Sequence, residues 1–155
     1  MYVRFAPALI AGAVLLCGCG GSSGSSTTSP TDVQSCLQNA GFGVATVPAS
    51  EVTDSGPENR GPGQTGELLV GLNGAKPQVG ADEADAVVAF FDSASHASSA
   101  PGTEENNPVL HVTAIGTTTV QGTSHLAETV SKQAKSPSDA RTAFNAELKK
   151  IEGCV

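Results

Sequence analysis

The sequence predicts a small α+β domain, a two-layer sandwich with helices on one face of a mostly antiparallel sheet. Three observations lead to this class. Residues 136–153 form a capped amphipathic helix, residues 85–92 are a near-continuous apolar run typical of a buried strand, and residues 109–121 have the pattern of a β-hairpin. Within this class, a ferredoxin-like arrangement is the favoured variant.

A helix opens the domain. Thr31 and Gln34 have the spacing of a capping box, which predicts that the helix begins at Thr31. Gly41 suits the position just after the helix, and the apolar Phe42 follows it. The residues that share one apolar stripe of this helix are Val33, Cys36, Leu37 and Ala40.

Two strands and a long loop follow the first helix. Residues 43–47 are a short candidate strand, and residues 48–66 are rich in Gly and Pro, which predicts an exposed loop. Residues 67–72 are a second candidate strand that ends at the turn signal Asn73-Gly74. Residues 76–79 would complete a hairpin with this strand if they returned beside it, although a proline at position 77 weakens such pairing.

The middle of the domain combines a central strand with a short helix and a hairpin. The apolar run 85–92 predicts a strand that is covered by helices on at least one side. Residues 93–100 suit a short helix, and residues 101–108 a loop. Residues 109–115 and 117–121 are predicted as a hairpin that turns at glycine 116.

The last helix has the strongest signals at its two ends. Ser136 caps it, Pro137 occupies its first position, and Gly153 ends it. Its apolar stripe consists of Ala140, Phe144, Leu148 and Ile151. Residues 124–136, just before it, have an ambiguous pattern that allows one or two helical turns.

Composition excludes several function classes. The chain has 155 residues, a formal charge of −7, no Trp, one Tyr and five Phe. Phosphate binding needs clustered Lys and Arg, and base stacking needs aromatic rings, so nucleic acid is not an expected partner. The length predicts one domain and is too short for a two-domain enzyme with a separate cofactor module.

The N-terminal residues form a unit separate from the domain. Arg4 is the one charged residue there, and residues 5–16 are apolar except for Gly and Pro. A membrane-spanning helix needs about 20 apolar residues, whereas the apolar region of a signal peptide needs roughly 7–15. The run therefore predicts a cleaved signal peptide, with a short uncleaved membrane anchor as the alternative.

The residues after this run resemble the lipobox of bacterial lipoprotein precursors. Leu16 lies three residues before Cys19, Gly18 directly precedes it, and a Gly/Ser tract follows. The intermediate position holds Cys17, which is less usual than Ala or Ser but is small. The resemblance implies lipid attachment at Cys19, cleavage between Gly18 and Cys19, and a membrane-anchored protein on the extracytoplasmic side.

Three segments follow from this resemblance. Residues 1–18 are the signal peptide, residues 19–30 are the lipidated Cys with its Gly/Ser linker, and residues 31–155 are the domain. The linker has a root-mean-square span of about 18 Å. Without the signal peptide, seven basic and fifteen acidic residues remain, so the formal charge becomes −8. Anionic lipid would repel such a domain, and the acyl chains would have to supply the attachment.

Two cysteines remain in the domain, Cys36 in the first helix and Cys154 just past the last helix. Export would place them in a compartment that permits oxidation, so a Cys36–Cys154 disulfide is predicted. It would close a loop of about 118 residues, for which the chain-entropy model gives roughly 4.8 kcal/mol. Two buried reduced thiols are the alternative.

Catalytic and metal-binding patterns are weak. His96, His111 and His125 are isolated from one another and lack metal-site spacing. The acidic clusters at residues 82–85 and 104–107 lack the EF-hand pattern, so they are predicted as solvated surface, with weak Ca²⁺ binding as the alternative. The Gly-x-Ser-x-Gly match at residues 20–24 lies in the Gly/Ser linker, where nothing would hold a nucleophile in place, and no phosphate loop occurs. No catalytic residue, cofactor or metal is therefore predicted.

The leading functional hypothesis is a lipid-anchored lipoprotein with a small non-catalytic domain. This domain would bind an envelope protein or a small ligand, or serve the envelope structurally, and the loops 48–66 and 101–108 are candidate contact regions. The alternative is a small envelope hydrolase or metal-binding protein that uses His and carboxylates. That alternative requires a pocket that gathers at least one His with a carboxylate or Ser.

Overall fold

The computed structural model describes residues 28–50, 62–79, 83–100 and 112–155. These residues form a five-stranded sheet with helices packed against it, so the predicted α+β class is confirmed. The strand order is β1-β2-β3-β5-β4, and each pair of neighbours is antiparallel. The strands are β1 Gly43–Pro48, β2 Gln64–Gly71, β3 Ala86–Phe91, β4 Val112–Ile115 and β5 Thr118–Gly122.

Helix α1 spans Pro30–Asn39 and begins one residue before the predicted start at Thr31. Its cap is Ser29, whose hydroxyl accepts a hydrogen bond from the Thr31 N–H, and Pro30 fills the first helical position. The predicted end is confirmed. Gly41 has a φ of 90°, and the Phe42 N–H donates to the Leu37 carbonyl, as in a Schellman motif.

A short 3₁₀ turn, Leu72–Gly74, follows β2. Asn73 adopts the left-handed conformation there, with a φ of 55°. The conditional hairpin with residues 76–79 does not form, because Ala75 instead crosses the paired ends of β1 and β2. Gly43 and Gly71 face each other in register at this point, and a Cβ on either would clash with the Ala75 carbonyl.

Strand β3 is the central strand, and all six of its residues are buried. Its alternate side chains point to opposite faces of the sheet. The large core lies on one face, together with helices α1, α3 (Ser124–Gln133) and α4 (Pro137–Glu152). The short helix α2, Ala94–Ser98, packs on the other face, where Ala97 contacts Ala89 and Phe91. The helices therefore do not all lie on the single face that the sequence predicts.

Strands β4 and β5 form the predicted hairpin, with Gly116 at a φ of 58° in its turn. Strand β5 then pairs with β3. All neighbours in the sheet are antiparallel as a result. The favoured ferredoxin-like variant is also antiparallel, but its connectivity is β-α-β-β-α-β, whereas β1, β2 and β3 are consecutive in this sheet with no α-helix between them in the described ranges.

Helix α3 is longer than the one or two turns predicted. Thr123 caps it by accepting from the Leu126 N–H, and Leu126 and Val130 are buried one turn apart. Helix α4 begins at the predicted Ser136 cap and buries the predicted Phe144, Leu148 and Ile151. The Phe144 ring reaches the sheet at Gly122, where a Cβ would clash with it.

Both ends of the domain are joined. The predicted Cys36–Cys154 disulfide is present, with a Cα–Cα distance of 5.5 Å. The Thr28 hydroxyl also donates to the Val155 main-chain oxygen at 3.0 Å. The described ranges contain no helix with the length and apolarity to cross a bilayer.

Candidate functional site

A groove of about 660 Å³ lies between the end of α1, the 72–74 turn, and helices α3 and α4. Its apolar floor includes Phe42, Val130 and Ala143. Phe42 and Val130 belong to the main core, and they are 6% and 8% exposed. The groove is therefore a place where the edge of the hydrophobic core is reached from the surface. Its volume lies within the range of small-molecule sites.

The rim of the groove is polar but has no net charge. Lys135 and Asp139 lie at its end near the start of α4, and Glu147 and Lys150 lie farther along that helix. Lys150 forms an ion pair with Glu147 at 2.7 Å. Two lysines and two carboxylates cancel formally, although the chain as a whole is acidic. The rim thus favours an uncharged or zwitterionic molecule over a strongly charged one.

Asp85 is a buried carboxylate directly before β3. It is 5% exposed, which corrects the prediction of solvated surface for this member of the 82–85 cluster, whereas Glu83 is exposed as predicted. Its Oδ2 accepts from the Leu72 N–H at 2.8 Å, and its Oδ1 lies 2.9 Å from the His125 Nδ1. A buried carboxylate is stable only with such partners, which explains the position of Asp85 in the interior.

The main chain around Asp85 fixes the start of α3 to the sheet. The Thr123 N–H donates to the Asp85 carbonyl at 3.0 Å, and the Thr123 hydroxyl donates to the Ala84 and Asp85 carbonyls. The same hydroxyl caps α3. His125 is therefore held against Asp85 by the position of its helix as well as by its own hydrogen bond.

The His125–Asp85 pair orients an imidazole ring. The His125 side chain is 44% exposed, whereas that of Asp85 is 7% exposed. An aspartate on Nδ1 fixes the ring orientation in hydrolase triads and beside metal ions, where the other nitrogen does the chemistry. Among the described contacts, however, the ring of His125 bonds only to Asp85. The pair therefore resembles the aspartate–histidine part of such a site, and the described contacts place no nucleophile beside the ring.

A second Asp–His pair lies at the other end of β3. The Asp92 Oδ1 lies 2.6 Å from the His96 Nδ1, four residues later, and both side chains are exposed. Gly63 lies under this pair, and a Cβ there would clash with both side chains. The Asp92 N–H donates to the Gly63 carbonyl at 2.9 Å, which joins β2 to the end of β3.

The pair changes the acidity of Asp92. The hydrogen bond from the His96 ring lowers the pKa of the Asp92 carboxyl from its ordinary value of 3.8, and the charge of a protonated His96 acts in the same direction. Because Asp92 is exposed, solvent screens this interaction strongly.

The predicted site residues divide into those the structure places and those it does not describe. Gly18 and Cys19 lie outside the described residues, as do His111 and residues 104–107. The candidate contact loops also lie mostly outside them. His96 and His125 are placed, each on a different aspartate. Across the described ranges, no three or more His, Cys, Asp or Glu side chains are grouped to hold a metal ion.

Two features of the site have no clear signal in the sequence. The groove is built from four segments of the chain. The sequence indicates only two of its apolar contributions, from Phe42 after Gly41 and from the Leu126/Val130 spacing of α3. The burial of Asp85 has one signal, its position directly before a fully apolar strand.

The chain was compared with protein-family models, curated proteins and solved structures, and none of them matches it.

Proposed function

We propose that this protein is a lipid-anchored extracytoplasmic bacterial lipoprotein whose domain binds a small amphipathic molecule without net charge. The observation that carries the binding role is the groove, which combines an apolar floor with a neutral polar rim. No catalytic step is part of the proposal. The domain acts by holding its ligand near the membrane surface.

The anchor rests on the sequence and agrees with one feature of the fold. Leu16, Gly18 and Cys19 match the lipobox, and the Gly/Ser linker after them has no apolar residue to bury. The Cys36–Cys154 disulfide supports export, because disulfides persist in oxidising compartments and are rare in the cytosol. Because residues 28–30 belong to the folded part, the tether is residues 20–27, which would give the domain a reach of about 16 Å from the lipid.

Membrane fractionation tests the anchor. We expect the wild-type chain to sediment with membranes and to resist salt extraction, whereas Cys19→Ser becomes soluble after export. Cys17→Ser is the matched control, because position 17 tolerates Ser in the lipobox and is not the lipidated residue. Retention of Cys19→Ser on membranes, or release of both variants, would show that Cys19 is not the anchor.

The groove fits an amphipathic ligand for two reasons. Buried apolar area supplies most of the binding free energy of small ligands, and the floor at Phe42 and Val130 provides such area. A neutral rim also avoids the cost of desolvating an unpaired charge. Asn73 and Gln133 add amide groups at the rim for hydrogen bonds to a polar end.

Two fluorescent probes of similar shape test this binding. In the full chain carrying Cys19→Ser, N-phenyl-1-naphthylamine, which is uncharged, should bind more tightly than the anionic anilinonaphthalene sulfonate. Ala143→Trp fills the groove and should abolish binding of the neutral probe. Ala146→Trp is the matched control, because Ala146 is exposed on the same helix and does not line the groove.

Three outcomes would contradict the binding proposal. The wild-type groove could fail to bind the neutral probe, the sulfonate could bind as tightly, or Ala146→Trp could reduce binding as much as Ala143→Trp. The anchor would be unaffected by any of these, since fractionation tests it separately.

A further inference from the structure

The groove has one wall from the 72–74 turn and another from α3, and the two walls are about sixty residues apart in the sequence. Leu72 and Asn73 belong to the first wall, and Thr129, Val130 and Gln133 to the second. The width of the groove depends on how these two walls are held relative to each other. The Asp85 side chain makes a hydrogen bond to each of these two elements.

Each oxygen of the Asp85 carboxylate holds one wall. Oδ2 accepts from the N–H of Leu72, which is itself a lining residue, at 2.8 Å. Oδ1 lies 2.9 Å from the Nδ1 of His125, which lies one helical turn before the lining residue Thr129. The carboxylate thus joins the two walls through two hydrogen bonds that involve an ionised acceptor.

The main chain of Asp85 is held in the sheet by hydrogen bonds on both sides. Its N–H donates to the Val70 carbonyl at 2.8 Å, and its carbonyl accepts from the Thr123 N–H. It directly precedes β3, the central strand of the sheet. By contrast, residues 72–74 form a single 3₁₀ turn that contains a left-handed Asn73. The hydrogen bond from the Leu72 N–H to Asp85 ties the first residue of this turn to the start of β3.

We infer that Asp85 is the positioning residue of the groove: its carboxylate couples the wall at Leu72 to the wall on α3 and sets the distance between them. This inference rests on the proposed function only in taking the groove as the binding site. Asp85 does not line the groove, so it acts on a ligand through the two walls.

Asp85→Asn tests the coupling, because an amide of the same shape can accept from one donor but offers an NH₂ group to the other. We expect hydrogen exchange at the Leu72 amide, or at the amides of Thr129 and Gln133, to become about tenfold faster. The affinity for N-phenyl-1-naphthylamine should fall by a similar factor. Asp92→Asn, the same change at the other end of β3, should alter neither quantity.

A merely structural role predicts a different pattern. Ile151→Val removes one buried methylene group away from the groove and destabilises the core. If Asp85 only contributes stability, Ile151→Val should accelerate exchange at the groove walls as much as Asp85→Asn does. If Asp85 positions the walls, the acceleration is confined to Asp85→Asn and to the groove amides.

His125→Ala covers the case in which Asp85→Asn does not fold. This variant leaves the Leu72 bond to Asp85 intact, so Leu72 should remain protected while exchange at Thr129 and Gln133 becomes faster. Unchanged exchange on the α3 wall in a folded His125→Ala, or on both walls in a folded Asp85→Asn, would overturn the inference. Because exchange is measured without any probe, this outcome is separate from a failure of the wild-type groove to bind.

Discussion

The two ends of β3 carry the same chemical pair in opposite settings. At its start, Asp85 contacts His125, forty residues away, from a position that is 5% exposed. At its end, Asp92 contacts His96, four residues away, and the two side chains are 54% and 40% exposed. The second contact is the shorter of the two, at 2.6 Å against 2.9 Å.

Contact length is therefore a poor guide to what each pair contributes. Asp85 also accepts from the partly buried Leu72 N–H, so its loss would leave this donor without its partner and cost free energy of folding. Asp92 and His96 can each return to water when the other is removed. The comparison shows that burial and sequence separation decide the role of an Asp–His pair, and four measurements can test it.

The largest difference is expected for removal of each aspartate. Asp85→Ala leaves the Leu72 N–H unsatisfied and frees His125, which should lower the free energy of unfolding by about 2–4 kcal/mol. Asp92→Ala should leave the urea midpoint unchanged. Denaturation followed by circular dichroism measures both, and equal midpoints for the two variants would remove the distinction drawn between the pairs.

The next effect concerns the backbone under the exposed pair. Gly63 has a φ of 81°, and a side chain there would clash with Asp92 and His96. Gly63→Ala should therefore cost about 1–2 kcal/mol, because a left-handed conformation strains any residue with a Cβ. Gly66→Ala is the control, since its Cβ would meet only the Val47 carbonyl at 3.6 Å.

If Gly66→Ala destabilised the domain more than Gly63→Ala, the conformation of Gly63 would not be what fixes this end of β3. A larger loss of stability in Gly63→Ala than in Gly66→Ala would mean that main-chain geometry holds the Asp92 end of β3. The Asp92–His96 ion pair would then contribute less to stability than this geometry.

A smaller effect is expected for the histidines. His125→Ala leaves one oxygen of the buried Asp85 without its partner, but the ring is partly exposed and water can replace it. The cost should be about 1 kcal/mol. His96→Ala should have no measurable effect on the same urea curves. A loss of stability in His96→Ala as large as that in His125→Ala would contradict the comparison.

The smallest effect is a titration. The His96 ring holds the pKa of Asp92 below 3.8, so the ionised pair favours the folded state above that pH, and this contribution is lost as the pH falls through the lowered pKa. His96→Ala should return the pKa of Asp92 toward 3.8, as measured by carboxyl ¹³C shifts. An unchanged titration curve would show that His96 is not the cause.

The exposed pair could be predicted from the sequence, and the buried pair could not. Asp92 and His96 have the i, i+4 spacing of neighbours on a helix. Asp85 and His125 meet only because β3, β5 and α3 come together, and such long-range contacts leave no local pattern. The acidic neighbours of Asp85 also suggest surface, although the apolar strand after it points to the interior.

The same division holds for the fold. Caps and turns such as Ser136, Gly41 and Gly116 are local, and the structure confirms them. The pairing of β3 with β5 is not local, because α2 and β4 lie between these two strands in the sequence. The groove depends on the same long-range assembly, so its existence was not predictable from any one of its segments.

The joined chain ends have a mechanical consequence. Tension on the chain before Thr28 would first break one hydrogen bond, to Val155, and then unwind α1 from its start. Unwinding would stop at Cys36, because the disulfide covalently links that residue to Cys154. Beyond this point the force acts on Cys36 and Cys154 together. The strands between these two residues would therefore not unfold one after another from the N-terminal side. Under the proposed anchoring, a pull on the N-terminal segment would therefore act on both ends of the domain at once.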